Sequence, residues 1–380
     1  MGESMKAGLK KMHGRIRDKL LEKLFYSPRK QVAFTYDLAP LGPHLMWLYV
    51  PEKGIYLGRD DYDREVYLNP AQLRVFHGVI IGPSGAGKSL FLKHFLYQIP
   101  NLKVNFMIID PHSDYSVLIR KLGGEVIDIR KTMFKTTNIF RNIESRELFI
   151  KAVAALYRLT EGQELSLREA IKRSKDFSQV LSNLPPVLRS KLEYPFSFLT
   201  NGEVDLKDLL DEKIPFSVDL SSMRRERPVL DEAASVIARL AIDEVLGYYW
   251  KKPRMHRLRF LIVADEYHNI LAKPIDVVER ILRETRKIGV YMVVASQDVD
   301  KFSESYFTQV GFIIALTLSE GQVEELRALT KKNITDADEL FITTAPPMEE
   351  FFPTKALLLV HYHKKAIRVR LDISEEVLEY

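Results

Sequence analysis

The chain has no cysteine, which excludes disulfides, thiolate catalysis and cysteine-held zinc. That absence fits an intracellular protein. No apolar run approaches the roughly 18 residues that a membrane span needs, and no signal peptide is visible, so the chain reads as soluble. Internal repeats and low-complexity tracts are absent as well. A base-reading NKxD motif is missing, and Lys331-Lys332-Asn333 lacks the required order, which argues against a GTP switch. His361 and His363 share one side of an expected strand with no third ligand nearby, so zinc is not expected.

What remains is a chain of 380 residues, 46% of them hydrophobic, enough for one large α/β domain with a subdomain or two. The net charge of +5 is mild; it permits a polyanionic partner without demanding one.

The most informative stretch runs from Val75 to Leu96. An apolar run closes on Val79, Ile80 and Ile81, turns through Gly82, Pro83, Ser84, Gly85, Ala86 and Gly87 into Lys88 and Ser89, and continues as an apolar-rich helix. Strand, glycine-rich loop and helix in that order match GxxxxGK[ST]. The glycines let backbone N–H groups turn toward phosphate oxygens, and the helix N-terminus adds positive potential. Lys88 then reaches the terminal phosphates and Ser89 can hold Mg2+. The loop is expected to bind a nucleoside triphosphate. A tight turn of small residues would account for the glycines but not for the flanking strand and helix.

Four regions are expected around this anchor. Residues 1–30 form a basic amphipathic helix, with Met5, Leu9, Met12, Ile16, Leu20 and Leu24 on one face and lysines and arginines on the others. It can lie on an anionic membrane or nucleic acid, or pack on a neighbouring domain. Residues 31–72 read as a short β-rich region packed beside the nucleotide domain, with MWLYV and GIYLG as strands. Residues 73–144 and 211–380 alternate strands and helices, the signature of a mostly parallel central sheet. Residues 145–210 break that alternation. Helices are expected over Ser145–Thr160, from a capping box at Ser166–Glu169, and over Phe177–Leu184, making an all-α insertion.

Three strand ends carry candidate chemistry. VNFMIIDPHSDY ends its strand at Asp110, which either faces a ligand or caps the following turn. FLIVADEYH is a fully apolar strand ending in two acids. Asp265 is the candidate Mg2+ partner with Ser89, and Glu266 the candidate base that activates the attacking water. VYMVVASQD ends in Ser296 and Gln297, and Gln297 is placed to hydrogen-bond that water or the terminal phosphate. The connector KKPRMHRLR is read as either a DNA contact or a solvated link.

GPSGAGKS, IIDPHSDY, VDLSS, IVADEYH, RETRKIGV and VVASQD stand in the order seen in the HerA/FtsK superfamily of ring-forming motors. Within that superfamily the chain most resembles HerA-type translocases and the VirB-type ATPases of conjugation and type IV secretion, archaeal DNA-import relatives included. The resemblance covers about Gly54 to Leu371. It implies a RecA-like P-loop sheet with an α-helical insertion, a hexameric ring, and DNA in a central channel. It also implies that each ATP site takes an arginine from the neighbouring subunit, by motif position Arg283 or Arg286. HerA helicases carry a β-barrel domain ahead of the loop, and secretion ATPases a long N-terminal domain. Here a basic helix and a short β region stand there, which favours a transport ATPase or a fragment of one. The expected function is therefore a DNA-translocating ATPase in the cytoplasm, peripheral to the inner face of the membrane if its basic helix meets a channel or pilus partner. A motor for pilus assembly or protein export is the alternative, and a small-molecule kinase a more distant one.

Overall fold

The computed structural model describes residues 54–71, 73–200, 202–226, 232–271, 278, 282–344, 354–361 and 365–378. The expected basic helix, the strand MWLYV and His363 lie outside them. Among the described residues eleven strands form one sheet: β1 (Ile55–Arg59), β2 (Glu65–Leu68), β3 (Gly78–Ile81), β4 (Asn105–Asp110), β5 (Glu125–Asp128), β6 (Phe216–Asp219), β7 (Phe260–Ala264), β8 (Val290–Ser296), β9 (Phe312–Ala315), β10 (Lys355–Val360) and β11 (Ile367–Leu371). Their spatial order is β2-β1-β11-β10-β9-β3-β8-β7-β4-β6-β5. From β9 to β5 every pairing is parallel. From β9 outward through β10, β11, β1 and β2 every pairing is antiparallel.

The parallel strands read as unbroken apolar runs because water reaches neither face of them. Along β3, Val79 and Ile81 enter one core layer and Ile80 the other; along β7, Phe260, Ile262 and Ala264 alternate with Leu261 and Val263 in the same way. One layer holds the helix that follows the glycine loop, Lys88–Gln98, through Phe91, Leu92, Phe95 and Leu96. The opposite layer holds the long helix Glu232–Trp250 and the helices between β5 and β6.

Those helices are Asn138–Arg141, Ile143–Leu156, Glu161–Lys172, Phe177–Asn183, Pro186–Ser197 and Leu206–Glu212. Phe149, Phe177 and Phe196 meet at their centre, the closest ring centroids 4.9 Å apart. At the neck of this segment an isolated bridge pairs Phe134 with Val204. The segment is fastened to the long helix by Glu244, whose carboxylate accepts the N–H of Thr137 and, at 2.6 Å, that of Asn138. Gly247 admits the Asn138 side chain, which donates to Asp243 Oδ2 at 2.9 Å.

Local signals mislead in two places. The helix expected to start at a Ser166–Glu169 box starts at Glu161, capped by Thr160, whose side chain accepts from Gln163 N. Ser166 lies within the helix and donates instead to Gly162 O. The β1–β2 hairpin does not merely pack beside the nucleotide domain, for β1 pairs with β11 and extends the main sheet.

Candidate nucleotide site

Parallel strands share an edge at which they all end, so the loops leaving β3, β4, β6, β7 and β8 meet there. Register makes the match close: Ile81 lies opposite Ser296, Ile109 opposite Ala264, and Asp110 opposite Asp219. The glycine loop leaves β3 with Gly82 N–H donating to Ser296 O at 3.2 Å. Gly85 (φ 81°) and Gly87 (φ 80°) take left-handed backbone conformations that a Cβ would strain. Gly87 occupies the N-cap of the Lys88–Gln98 helix and has no side chain to cover the first N–H groups, which therefore face the loop's interior.

Lys88 is buried and folds back over its own loop, its Nζ donating to Gly82 O at 2.8 Å and Pro83 O at 3.0 Å. Burial pulls its pKa down, and the nearby Glu266 and Asp265 carboxylates oppose that shift. Ser89 Oγ donates to Asp265 Oδ2 at 3.3 Å across 176 residues of sequence. Asp265 is 2% exposed, and burial raises its pKa against the hydrogen bonds it accepts. Those come from Tyr115 OH at 2.7 Å and from Glu266 N–H at 2.8 Å.

Glu266 adopts φ 50° and ψ 41°, a left-handed conformation that non-glycine residues occupy at a cost of about 1–2 kcal/mol. Gln297 Nε2 donates to Glu266 Oε1 at 2.8 Å. Gln297 O in turn accepts from Gln322 Nε2 at 3.1 Å, on the helix Glu320–Thr330. Asp110 is fully buried and accepts three backbone N–H bonds, from His112, Asp114 and Tyr115, so it shapes the turn after β4. Burial lifts its pKa to about 7.

Lys88, Ser89, Asp265, Glu266 and Gln297 thus share one edge of the sheet. Arg283 and Arg286 do not. Both are exposed and precede β8, whereas Gln297 follows it, and that strand's seven residues span about 20 Å. The exposed basic connector 251–257 lies beside them: Met255 N–H donates to Lys287 O at 3.1 Å. Sequence reasoning assigned no role to Tyr115 or Gln322. Tyr115 stands inside the quoted run IIDPHSDY, five residues past Asp110, and Gln322 presents only the capping box it forms with Ser319.

Ser89 and Asp265 offer a hydroxyl and a carboxylate, the hard oxygen donors that Mg2+ takes alongside phosphate oxygens, and already touch one another. The residues fit that cation. Among the described residues no group of three His, Cys, Asp or Glu is arranged to hold a metal by protein ligands alone.

Residues 55–243 match the family described as "Helicase HerA, central domain". The "DNA import protein CedB" of Sulfolobus acidocaldarius is 24% identical over 294 residues, 66% of this chain and 45% of that protein. The chain thus spans less than half the length of that relative. Among solved structures, VirB4 of Thermoanaerobacter pseudethanolicus superposes with a TM-score of 0.67 at 16% identity, over 87% of this chain and 99% of that one. The bacterial conjugative coupling protein TrwB, solved with ADP and Mg2+, gives 0.61 at 15% identity over 88% and 93%. These likenesses establish a RecA-like P-loop fold.

Proposed function

This chain is a P-loop protein of the HerA/FtsK type, and on that premise we propose that it hydrolyses ATP to move DNA. The observation that carries the proposal is the convergence of Ser89 on Asp265 at 3.3 Å and of Gln297 on Glu266 at 2.8 Å, with Lys88 beside both carboxylates.

ATP phosphates enter the cradle of N–H groups from Gly82 to Ser89, and Lys88 exchanges its two loop carbonyls for phosphate oxygens. Ser89 and Asp265 would hold Mg2+, which neutralises phosphate charge when bound. Glu266, steadied by Gln297, orients a water and takes its proton as the oxygen attacks the terminal phosphorus. The bond to the bridging oxygen breaks, and ADP and phosphate leave. Arg283 or Arg286, on the opposite edge of the sheet, acts on the site of the next subunit. A head-to-tail contact of this kind closes into a ring, and six subunits is the number we propose. The chain divides, in this reading, into a basic helix (1–30), a β-rich region (31–72), an ATPase core (73–144 and 211–380) and a helical insertion (145–210).

DNA as cargo is supported by the likeness to a DNA import protein and by the conjugative coupling protein among the structural neighbours. A cytoplasmic ring that meets a membrane channel or pilus partner through residues 1–30 completes the proposal; no helix among the described residues is long and apolar enough to cross a membrane. The test is hydrolysis and ring assembly with and without DNA across a salt series. DNA should stimulate both, with binding that falls steeply as salt rises. Salt-insensitive hydrolysis indifferent to DNA would overturn the DNA reading and point to pilus assembly or protein export.

A further inference from the structure

We infer that Tyr115 is a positioning residue of the nucleotide site, its hydroxyl fixing the Asp265 carboxylate in the orientation that receives the cation; this rests on the ATPase reading above. Tyr115 is fully buried, with its ring in the core layer that also holds Phe91 and Phe95. A phenylalanine would fill that layer equally well. The hydroxyl is the difference, and it ends 2.7 Å from Asp265 Oδ2, the same oxygen that Ser89 Oγ reaches at 3.3 Å.

The carboxylate is thereby held from three sides. Its Oδ1 accepts the N–H of Glu266, its Oδ2 accepts the tyrosine hydroxyl from below, and Ser89 approaches from the phosphate loop. Of these, the serine contact is the longest, and it is the one a cation would take over, because Ser89 is itself a proposed ligand. Once Ser89 turns to the metal, the tyrosine and the backbone N–H alone keep Asp265 from rotating. A hydroxyl that orients a metal-facing carboxylate in this way sets affinity for the metal while touching neither metal nor nucleotide.

The arm that carries the hydroxyl is stiff. Strand β4 lies against β7 in register, Ile109 opposite Ala264, so a side chain leaving the turn after β4 reaches the end of β7. Asp110 clamps that turn through three backbone N–H groups, that of Tyr115 included at 3.0 Å. Ser113, at φ 65°, donates its hydroxyl to Asp219 Oδ2 at 2.6 Å, tying the turn to β6 as well. The turn is thus fastened to its own strand and to β6 independently of the hydroxyl, which leaves the hydroxyl a fixed point from which to hold Asp265.

The test is Tyr115→Phe in the full chain, read by equilibrium binding of a fluorescent, non-hydrolysable ATP analogue titrated with Mg2+. The Mg2+ concentration that half-maximally tightens nucleotide binding should rise about 10- to 100-fold, while affinity in EDTA stays that of the unaltered protein. In an Asp265→Asn background, the same substitution should add nothing further. Ser113→Ala, which loosens the turn without touching the hydroxyl, should shift the Mg2+ midpoint in the same direction by less. An unchanged midpoint in Tyr115→Phe, an equal loss in EDTA, or an undiminished effect beside Asp265→Asn each overturns the inference and leaves the ATPase reading standing. If the unaltered protein binds no nucleotide, both readings fall.

Discussion

Replacing Glu266 by glutamine isolates proton acceptance from everything else the residue does. The amide is isosteric and keeps an oxygen for Gln297 Nε2, now 2.8 Å from Oε1, so the contact that orients the side chain survives. The backbone at φ 50° is unchanged in its demands, since neither side chain relieves a left-handed conformation. Only the ability to take a proton from water is lost. A positioned general base contributes about 10²- to 10⁴-fold, or roughly 3–5 kcal/mol of barrier, and hydrolysis should fall by that factor. Binding should hold or tighten, because removing the charge takes away a carboxylate that competes with phosphate for Lys88. Single-turnover phosphate release with enzyme in excess measures the chemical step, and fluorescent nucleotide titration measures binding. Turnover within about threefold of the unaltered protein would show that Glu266 is not the base. So would a drop in binding as large as the drop in rate, since the residue would then be serving affinity.

Other perturbations separate the remaining parts. Lys88→Ala removes the cation that spans the loop, and nucleotide affinity itself should weaken by about 10- to 100-fold, checked in the same titration; undiminished affinity would remove the lysine from the phosphate site. Asp110 binds its proton more tightly folded, with a pKa of about 7, than unfolded, so its contribution to stability is present below the unfolded value and is lost as pH rises toward 7. Urea titrations of the unaltered chain and Asp110→Asn should therefore show the variant's deficit shrinking between pH 5 and pH 8, and a constant gap would contradict the shift. Gly247→Ala would place a Cβ 2.5 Å from Asn138 Cγ and disturb its bonds to Asp243 and Ser145. The clash should outweigh alanine's better helix propensity and cost about 1–2 kcal/mol in urea denaturation, whereas a neutral or stabilised variant would mean that the insertion yields there.

The phosphate loop and the acid pair were legible because their chemistry fixes residue type at fixed spacing, and unbroken apolar runs gave away the buried parallel strands. Contacts between distant parts of the chain left no such trace. Nothing near Gly58 reveals that it will face Leu371 across an antiparallel pairing, so the N-terminal hairpin read as a separate element. The first helix between β5 and β6 starts at Asn138 because Glu244, more than a hundred positions on, accepts its N–H. The start of Glu161–Lys172 is ambiguous for a local reason: Ser166-x-x-Glu169 and Thr160-x-x-Gln163 both satisfy a capping pattern, and only the second lies where the chain turns. Tyr115 carries no such signal, because a single tyrosine has no periodicity. Its meaning depends on Asp265, on a different strand.

The long helix Glu232–Trp250 has Ala233, Ala234, Ala238 and Ala241 all buried, with the sheet on one flank and the inserted helices on the other. An attempt to trim this chain to a minimal motor by deleting 138–212 would therefore unwrap that helix to water along one whole flank, and the product should precipitate. The exposed bend at Arg158, between Ile143–Leu156 and Glu161–Lys172, is where a change of length should be better tolerated. The helical segment is a wall of the same building as the catalytic sheet, and it stands or falls with it.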